Sequence, residues 1–317
     1  MFEIKQYTVE NEQEWNAFID KSKNGTFMLK RGYMDYHKAR FEDCSLLFYL
    51  NGKLWAILPA NVANHTLFSH QGLTYGGLIM SDRCTAADVL IAFKEMNEWL
   101  RERDINKVVY KTIPHIYSTQ ASEEDLYALF RCNATLISRG ISSCIDLQNP
   151  IKWRQNRRTA LNKSMHEGLK VEKTNDIHAF WQILEHNLME KHGIKPVHAV
   201  EEMEMLMSRC PNNITLYQAI DNQGMVLGGI LMYDCGKVLH SQYISATEKG
   251  KKNGAIDAIM NEIMHQNSNT IANEAIYFDF GISTENGGQY LNESLIFQKE
   301  GFGGRGICYD TYEYTIS

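Results

Sequence analysis

Residues 275–306 read AIYFDFGISTENGGQYLNESLIFQKEGFGGRG. The stretch opens as a buried strand, AIYFDFGIS, and breaks at Gly281. It restarts as a short helix, YLNESLIFQKE, and breaks again at Gly301, Gly303 and Gly304. Gly281 lets backbone or ligand approach closely. Asp279 stands inside the apolar run, where a carboxylate must be paired or perturbed. Ser283, Glu285 and Tyr290 follow, Tyr290 at the start of the helix. A polar, glycine-rich loop between a core strand and a helix is a place where sites are built.

Outward from this stretch, GICYDTYEYTI closes the chain as a strand. Upstream lie three consecutive antiparallel strands, ITLYQAI, MVLGGILMYD and VLHSQYISAT, joined by the turns DNQG and CGK. A helix follows them, with Ile256, Ile259, Met260, Ile263 and Met264 on one face. Helical segments DIHAFWQILEHNLMEKH and AVEEMEMLMSRC precede them. The first half runs in the same order. SLLFYL, KLWAILPANV and TLFSHQGLTYGGLIM read as strands, the first two joined by an Asn51-Gly52 hairpin turn. TAADVLIAFKEMNEWLRERD is helical, with Val89, Phe93, Met96 and Leu100 on one face; strand KVVYKTI, helix EEDLYALF and strand ATLISRGISSCIDL follow, and Pro150 ends the half. The expectation is an α+β protein of two tandem domains, 1–150 and 151–317. Each is a mixed, mostly antiparallel sheet flanked by helices, and the repeat is one of topology.

That order resembles the GNAT acyltransferase fold, and two copies in one chain resemble the FemABX-like group. The most specific parts are the basic helix WRQNRRTALNKSMHEGLKVEK (153–173) and the ending Phe297-Gln298-Lys299-Glu300-Gly301-Phe302-Gly303-Gly304. The ending is close to the group's FK-x-x-FGG, with Gln298 inserted. The resemblance covers nearly the whole chain. It implies transfer of an acyl group from acyl-CoA or aminoacyl-tRNA, in a cleft where the fourth and fifth strands of a GNAT sheet splay apart. The end of AIYFDFGIS would line that cleft, with Gly281 and Ser283 against substrate. Glu285 is the candidate base, Asp279 the second, and Tyr290 the acid for the leaving thiolate, by analogy with GNAT enzymes that carry a tyrosine on this helix.

GNAT enzymes hold the CoA pyrophosphate on a Gln/Arg-x-x-Gly-x-Gly/Ala loop at a helix N-terminus. The corresponding place here is TEKGKKNGAIDAIM, where Lys251-x-x-Gly254-x-Ile256 aligns best, with lysine for the first residue and isoleucine for the small one. Lys249, Lys251 and Lys252 carry charge suited to phosphate, and Ile244 on the preceding strand is grouped with this donor site. The same lysines equally suit a solvated turn that caps a helix. The strand VLHSQYISAT would polarise the thioester carbonyl through its backbone. Alternation places His240 and Gln242 on one face and Ser241 and Tyr243 on the other, and either pair could reach substrate. In the basic helix, Lys152, Arg154, Arg157, Arg158 and Lys163 have no acid between them. Arg154, Arg157 and Arg158 share one helical side, which suits an anionic substrate or else a linker helix held by acids. SHQGLTYGGL (69–78) reads as a bulged core strand or as the wall of an acceptor pocket.

Composition sets the outer bounds. The 317 residues suit two domains of ~150 residues each. A net charge of −6 argues against a dedicated nucleic-acid binder, so extensive tRNA contact is not favoured. No apolar run approaches ~18 residues, and the N-terminus carries acids where a signal peptide would be basic, so a cytoplasmic protein is expected. Seven scattered cysteines without a C-x-x-C pair read as reduced thiols, with no metal site. No serine or cysteine sits in a nucleophile motif, which favours direct attack over a covalent enzyme. The expected activity is acyl transfer from acyl-CoA, as co-substrate, to an amine or hydroxyl of a cell-envelope or polysaccharide precursor, a small or nucleotide-linked molecule. The alternatives are an aminoacyl-tRNA-dependent transferase building a peptidoglycan bridge, and a degenerate GNAT pair that only binds. The oligomeric state is left open.

Overall fold

The computed structural model describes residues 2–269 and 275–316. The chain forms two compact units. One holds the residues up to Ile141 with Thr284–Tyr290 and those from Cys308 onward; the other holds Ser142–Ser283 and Leu291–Ile307. The expected division at residue 150 assigns Thr284–Tyr290 and the C-terminal strand to the second half, whereas here they pack with the first.

In the second unit the strands Lys170–Thr174, Ile214–Ile220, Val226–Asp234 and Val238–Ala246 are antiparallel neighbours in that order. Val238–Ala246 then pairs in parallel with Tyr277–Ile282, which pairs antiparallel with the end of Thr135–Asp146. A parallel pair needs a long crossover, supplied by the helix Ala255–Asn269. Its Ile259, Met260 and Ile263 pack with Ile230, Met232 and Phe278, the face its spacing predicts. The sheet's other face takes the helix His178–His192, which buries Phe180, Trp181 and Leu184. Gly229 is small for this reason, because a Cβ there would stand 2.6 Å from the Phe180 ring.

The first unit has an antiparallel sheet of Phe2–Gln6, Leu46–Leu50, Lys53–Leu58 and Ile79–Met80. A second run joins Glu42–Asp43, Asn61–Ala63, Thr66–Phe68, Lys107–Lys111 and the C-terminal part of Arg305–Thr315. The helix Ala86–Arg101, capped by Thr85, buries Val89, Phe93, Met96 and Leu100 in one core with Phe48 and Trp55. Among the described residues no helix is long and apolar enough to cross a membrane.

Two sequence expectations change here. Residues before 45, unassigned from the sequence, form the edge strand Phe2–Gln6, the helix Glu12–Ile19 and short helical turns between Phe27 and Arg40. The third strand expected over 66–80 is instead Thr66–Phe68 and Ile79–Met80 with a folded loop between them. Gly76 folds that loop against itself, since a Cβ there would stand 2.0 Å from the Ser69 carbonyl oxygen. Lys111 Nζ gathers the loop by donating to the carbonyls of His70, Gln71 and Leu73 at 3.4, 3.0 and 2.7 Å. Gly76→Ala must displace backbone and is expected to cost about 2–3 kcal/mol. A thermal melt should show Tm lowered by roughly 5–10 °C, and an unchanged Tm would contradict this packing.

Candidate functional site

The parallel ladder between Val238–Ala246 and Tyr277–Ile282 lasts three rungs and stops at His240 opposite Asp279. Each strand has a local reason to leave it there. Ser241 pairs with Met232 and Tyr243 with Leu231, so Gln242 is an extra residue, a bulge that bends its strand. On the other strand, the register against Ser142–Asp146 slips between Asp279 and Ile282. Gly281 lies in that slip at φ +73°, a conformation other residues adopt at a cost. The bulge also overturns the expected alternation. Pairing with Tyr233 and Leu231 puts His240 and Tyr243 on one face, while Ser241, opposite Met232, faces the other way.

At the last rung Asp279 is fully buried. Its Oδ2 accepts from His240 Nδ1 at 2.8 Å, its Oδ1 accepts from the Ser142 hydroxyl, and its carbonyl accepts from Ser241 Oγ at 3.4 Å. A carboxylate oxygen accepts, so His240 Nδ1 is the donor in this bond and Nε2 is the nitrogen left outside it. The unused side of Gly281 faces this ring, with the position of an added Cβ 3.4 Å from His240 Cε1. Behind the glycine, buried Lys299 donates to the carbonyls of Gly281 and Ile282 at 2.7 and 2.9 Å. Burial pushes the Lys299 pKa down to about 8, and nearby Asp279 opposes that shift. Cys144, in register with Asp279, has its thiol pKa raised by burial and by that carboxylate. Ser283 is buried too, and its Oγ has no hydrogen-bond partner among the described residues.

Of the three catalytic candidates, only Asp279 belongs to this cluster. Glu285 and Tyr290 are exposed, lie in the short strands Thr284–Glu285 and Tyr290–Leu291, and pack with the first unit. Tyr290 does not start the helix. That helix is Glu293–Gly301, capped by Asn292, whose side chain accepts from Leu295 N at 3.1 Å. His240 and Lys299 are titratable side chains that lie with Asp279 in this cluster. His240 lies on a strand whose parallel ladder with the Asp279 strand ends at this pair, a register that sequence does not display. Tyr243 turns to the helix side, bonding His198 Nδ1 at 2.8 Å and packing edge-on against Trp181.

The donor-loop residues have structural partners. Lys249 pairs with Asp221 at 2.7 Å, and Lys251 pairs with Glu248, while Lys252 is exposed. Thr247 Oγ1 already accepts from Gly250 N at 2.9 Å, capping the helix Glu248–Asn253. Gly254 sits at φ +73°, and a Cβ there would stand 2.2 Å from the Ala160 carbonyl, so this glycine serves close helix packing. Ile244 and Ile256 pack against the apolar core. In the basic segment the helix is Gln155–His166, and Arg154 precedes it as the cap residue instead of sharing its side. Arg154 reaches Glu300 at 3.2 Å and lies over the Phe297 ring. Arg157 reaches Asp257 at 3.4 Å and lies over Phe302, and Arg158 donates to Gln155. Among the described residues no group of three His, Cys, Asp or Glu side chains is placed to hold a metal ion.

No protein-family model and no curated protein matches the chain. Solved structures do. FemX is similar over 99% of this chain and 97% of its own, at 11% identity and a TM-score of 0.69. L-PGS from Bacillus licheniformis is similar over 98% of this chain and 93% of its own, at 12% identity and a TM-score of 0.62. A tandem GNAT protein from the clavulanic acid biosynthesis pathway is similar over 100% of this chain and 99% of its own, at 10% identity and a TM-score of 0.52. The chain therefore has the FemABX-like, GNAT-related fold.

The depressed Lys299 pKa has a direction that can be measured. Between about 8 and 10.5 the folded chain binds fewer protons at this lysine than the unfolded chain does. Its contribution to stability is thus present above the upper value and is lost as pH falls through the lower. In Lys299→Met the slope of Tm against pH over this interval should be shallower than in the wild type. Identical slopes would show that the buried ammonium is not titrating there.

Proposed function

We propose that the chain is an acyltransferase in which His240, held by Asp279, removes a proton from an acceptor amine or hydroxyl as that group attacks the carbonyl of an acyl donor. The observation that carries this reading is the buried His240–Asp279 pair at the rung where two parallel strands part. Nε2 takes the proton, and Asp279 fixes the tautomer and offsets the imidazolium that forms. A bulged residue is left out of its ladder, so the Gln242 amide is offered to the carbonyl oxygen, where negative charge develops. The tetrahedral adduct then collapses and expels the donor's thiolate or alkoxide. The acceptor is of the kind found on cell-envelope or polysaccharide precursors.

The donor in this reading is acyl-CoA, bound by the second unit near exposed Lys252. A second reading, an aminoacyl-tRNA donor, is favoured by the ion pairs that occupy Lys249 and Lys251 and by Ala160 filling the space at Gly254. Calorimetric titration with acetyl-CoA and a long-chain acyl-CoA separates them. Binding that weakens in Lys251→Ala/Lys252→Ala supports an acyl-CoA donor, and no heat at millimolar ligand rules it out. With a donor that binds, transfer to hydroxylamine as a surrogate acceptor should fall by roughly 10²–10⁴ in His240→Ala and Asp279→Asn. Unchanged rates would remove His240 as the base.

A further inference from the structure

In the first unit the helices Ala86–Arg101 and Glu124–Arg131 pack against each other. Each sends apolar side chains, Phe93 from one and Ala128 from the other, into the same core. Their outer faces do not close. Between them, over the end of the strand Arg305–Thr315, lies an open groove of about 470 Å³, a volume typical of small-molecule sites. Leu90, Lys94, Asn97 and Arg101 recur along it at helical spacing, so one stripe of the first helix forms a whole wall. Phe93, Ala128 and Tyr314 form an apolar floor. The charges along the groove are unbalanced. Three cations, Lys94, Arg101 and Arg131, line it with one carboxylate, Glu98, a surplus of two positive charges in a chain of net charge −6. Lys94 and Glu98 stand one helical turn apart, yet neither they nor Arg131 has an ion-pair partner among the described residues. Elsewhere this unit pairs its cations, as Lys107 with Glu313 and Arg139 with Asp310.

We propose that this groove binds a small organic anion, its carboxylate or phosphate held by Lys94, Arg101 and Arg131 and its apolar body laid over Phe93 and Ala128. The forked guanidinium donors match either anionic group. A neutral donor stands ready beside them. Tyr314, 4% exposed, donates to Asn97 Oδ1 at 2.9 Å and so fixes which way the amide points. The Asn97 Nδ2 lies 3.8 Å from Cys132 Sγ, a weak acceptor, and has no oxygen partner among the described residues. Burial raises the Cys132 thiol pKa, so the thiol stays neutral and adds no negative charge to the groove. Every residue of this site belongs to the first unit, so the inference goes beyond the transferase reading and does not depend on it.

The test is a saturation-transfer NMR titration of the whole chain with benzoate and with phenyl phosphate. Benzyl alcohol controls for the apolar body alone and inorganic phosphate for the charge alone. Binding of at least one aryl anion, tighter than that of either control, is expected, and the order of the two anions identifies the preferred head group. Lys94 and Arg131 are exposed, so Lys94→Gln/Arg131→Gln should keep the wild-type melting curve. It should weaken anion binding roughly tenfold, the loss of one charge-assisted hydrogen bond. Lys53→Gln, which removes an exposed lysine outside the groove, should leave binding unchanged. Failure of both aryl anions to bind, equally tight binding of a control compound, or undiminished binding in the double variant would overturn the proposal. An equal loss in Lys53→Gln would overturn it too, since attraction would then come from net charge and not from the groove.

Discussion

Asp279 is a carboxylate with no exposed surface, and the second unit is arranged around supplying its hydrogen bonds. A buried carboxylate must be hydrogen-bonded, and two side chains on the neighbouring strands bond it, His240 and Ser142, while Ser241 bonds the Asp279 main-chain carbonyl. Those partners require the strands to stay in register up to Asp279. The chemistry proposed for His240 requires them to part directly afterwards. The bulge at Gln242 and the turn of backbone at Gly281 meet both demands within a few residues. Lys299 then prevents the freed strand end from leaving its carbonyls unbonded.

The terminal glycines have a different use from Gly281. An added Cβ at Gly303 would stand 2.5 Å from the Ile151 carbonyl, and one at Gly304 would stand 2.9 Å from Ser143 Cβ. They let the end of the helix Glu293–Gly301 close against the strand and the segment that enters the basic helix. Arg154 and Arg157 fasten the same corner from the other side, through Glu300 and Asp257. Burial raises the Asp257 pKa and Arg157 opposes it, so this arginine is balanced against a structural carboxylate.

The order of elements was legible because strong periodicity marks them. Val89, Phe93, Met96 and Leu100, and likewise Ile259, Met260 and Ile263, fall on the faces that the 3.6-residue repeat assigns. Asp279 was legible as an anomaly in an apolar strand. His240 was named from the sequence only as one of a pair that could reach substrate, and Lys299 only within the terminal motif, because the partners of each are tertiary and sequence distance conceals them. A one-residue bulge also defeats any argument from strict alternation, as Gln242 does here. Residues between Phe27 and Arg40 form short helical turns that include a buried arginine, and no periodic signal survives in pieces so small. The lysine-rich loop shows the reverse problem. Its charge pattern suggests phosphate, yet local carboxylates take up two of its three lysines.

The strand Arg305–Thr315 has a consequence for how the chain is made. Its residues 311–315 pair with Lys107–Lys111 inside the first unit, so a unit whose larger part is synthesised before the second is completed after it. Until residues 311–315 have been synthesised, Lys107–Lys111 presents one open edge, a surface that invites pairing with other chains. The second unit can gather most of its sheet in sequence order, whereas the first must wait. Nascent chains would therefore need protection at that edge, and truncations near the C-terminus should damage the fold of the N-terminal residues before that of their own neighbours.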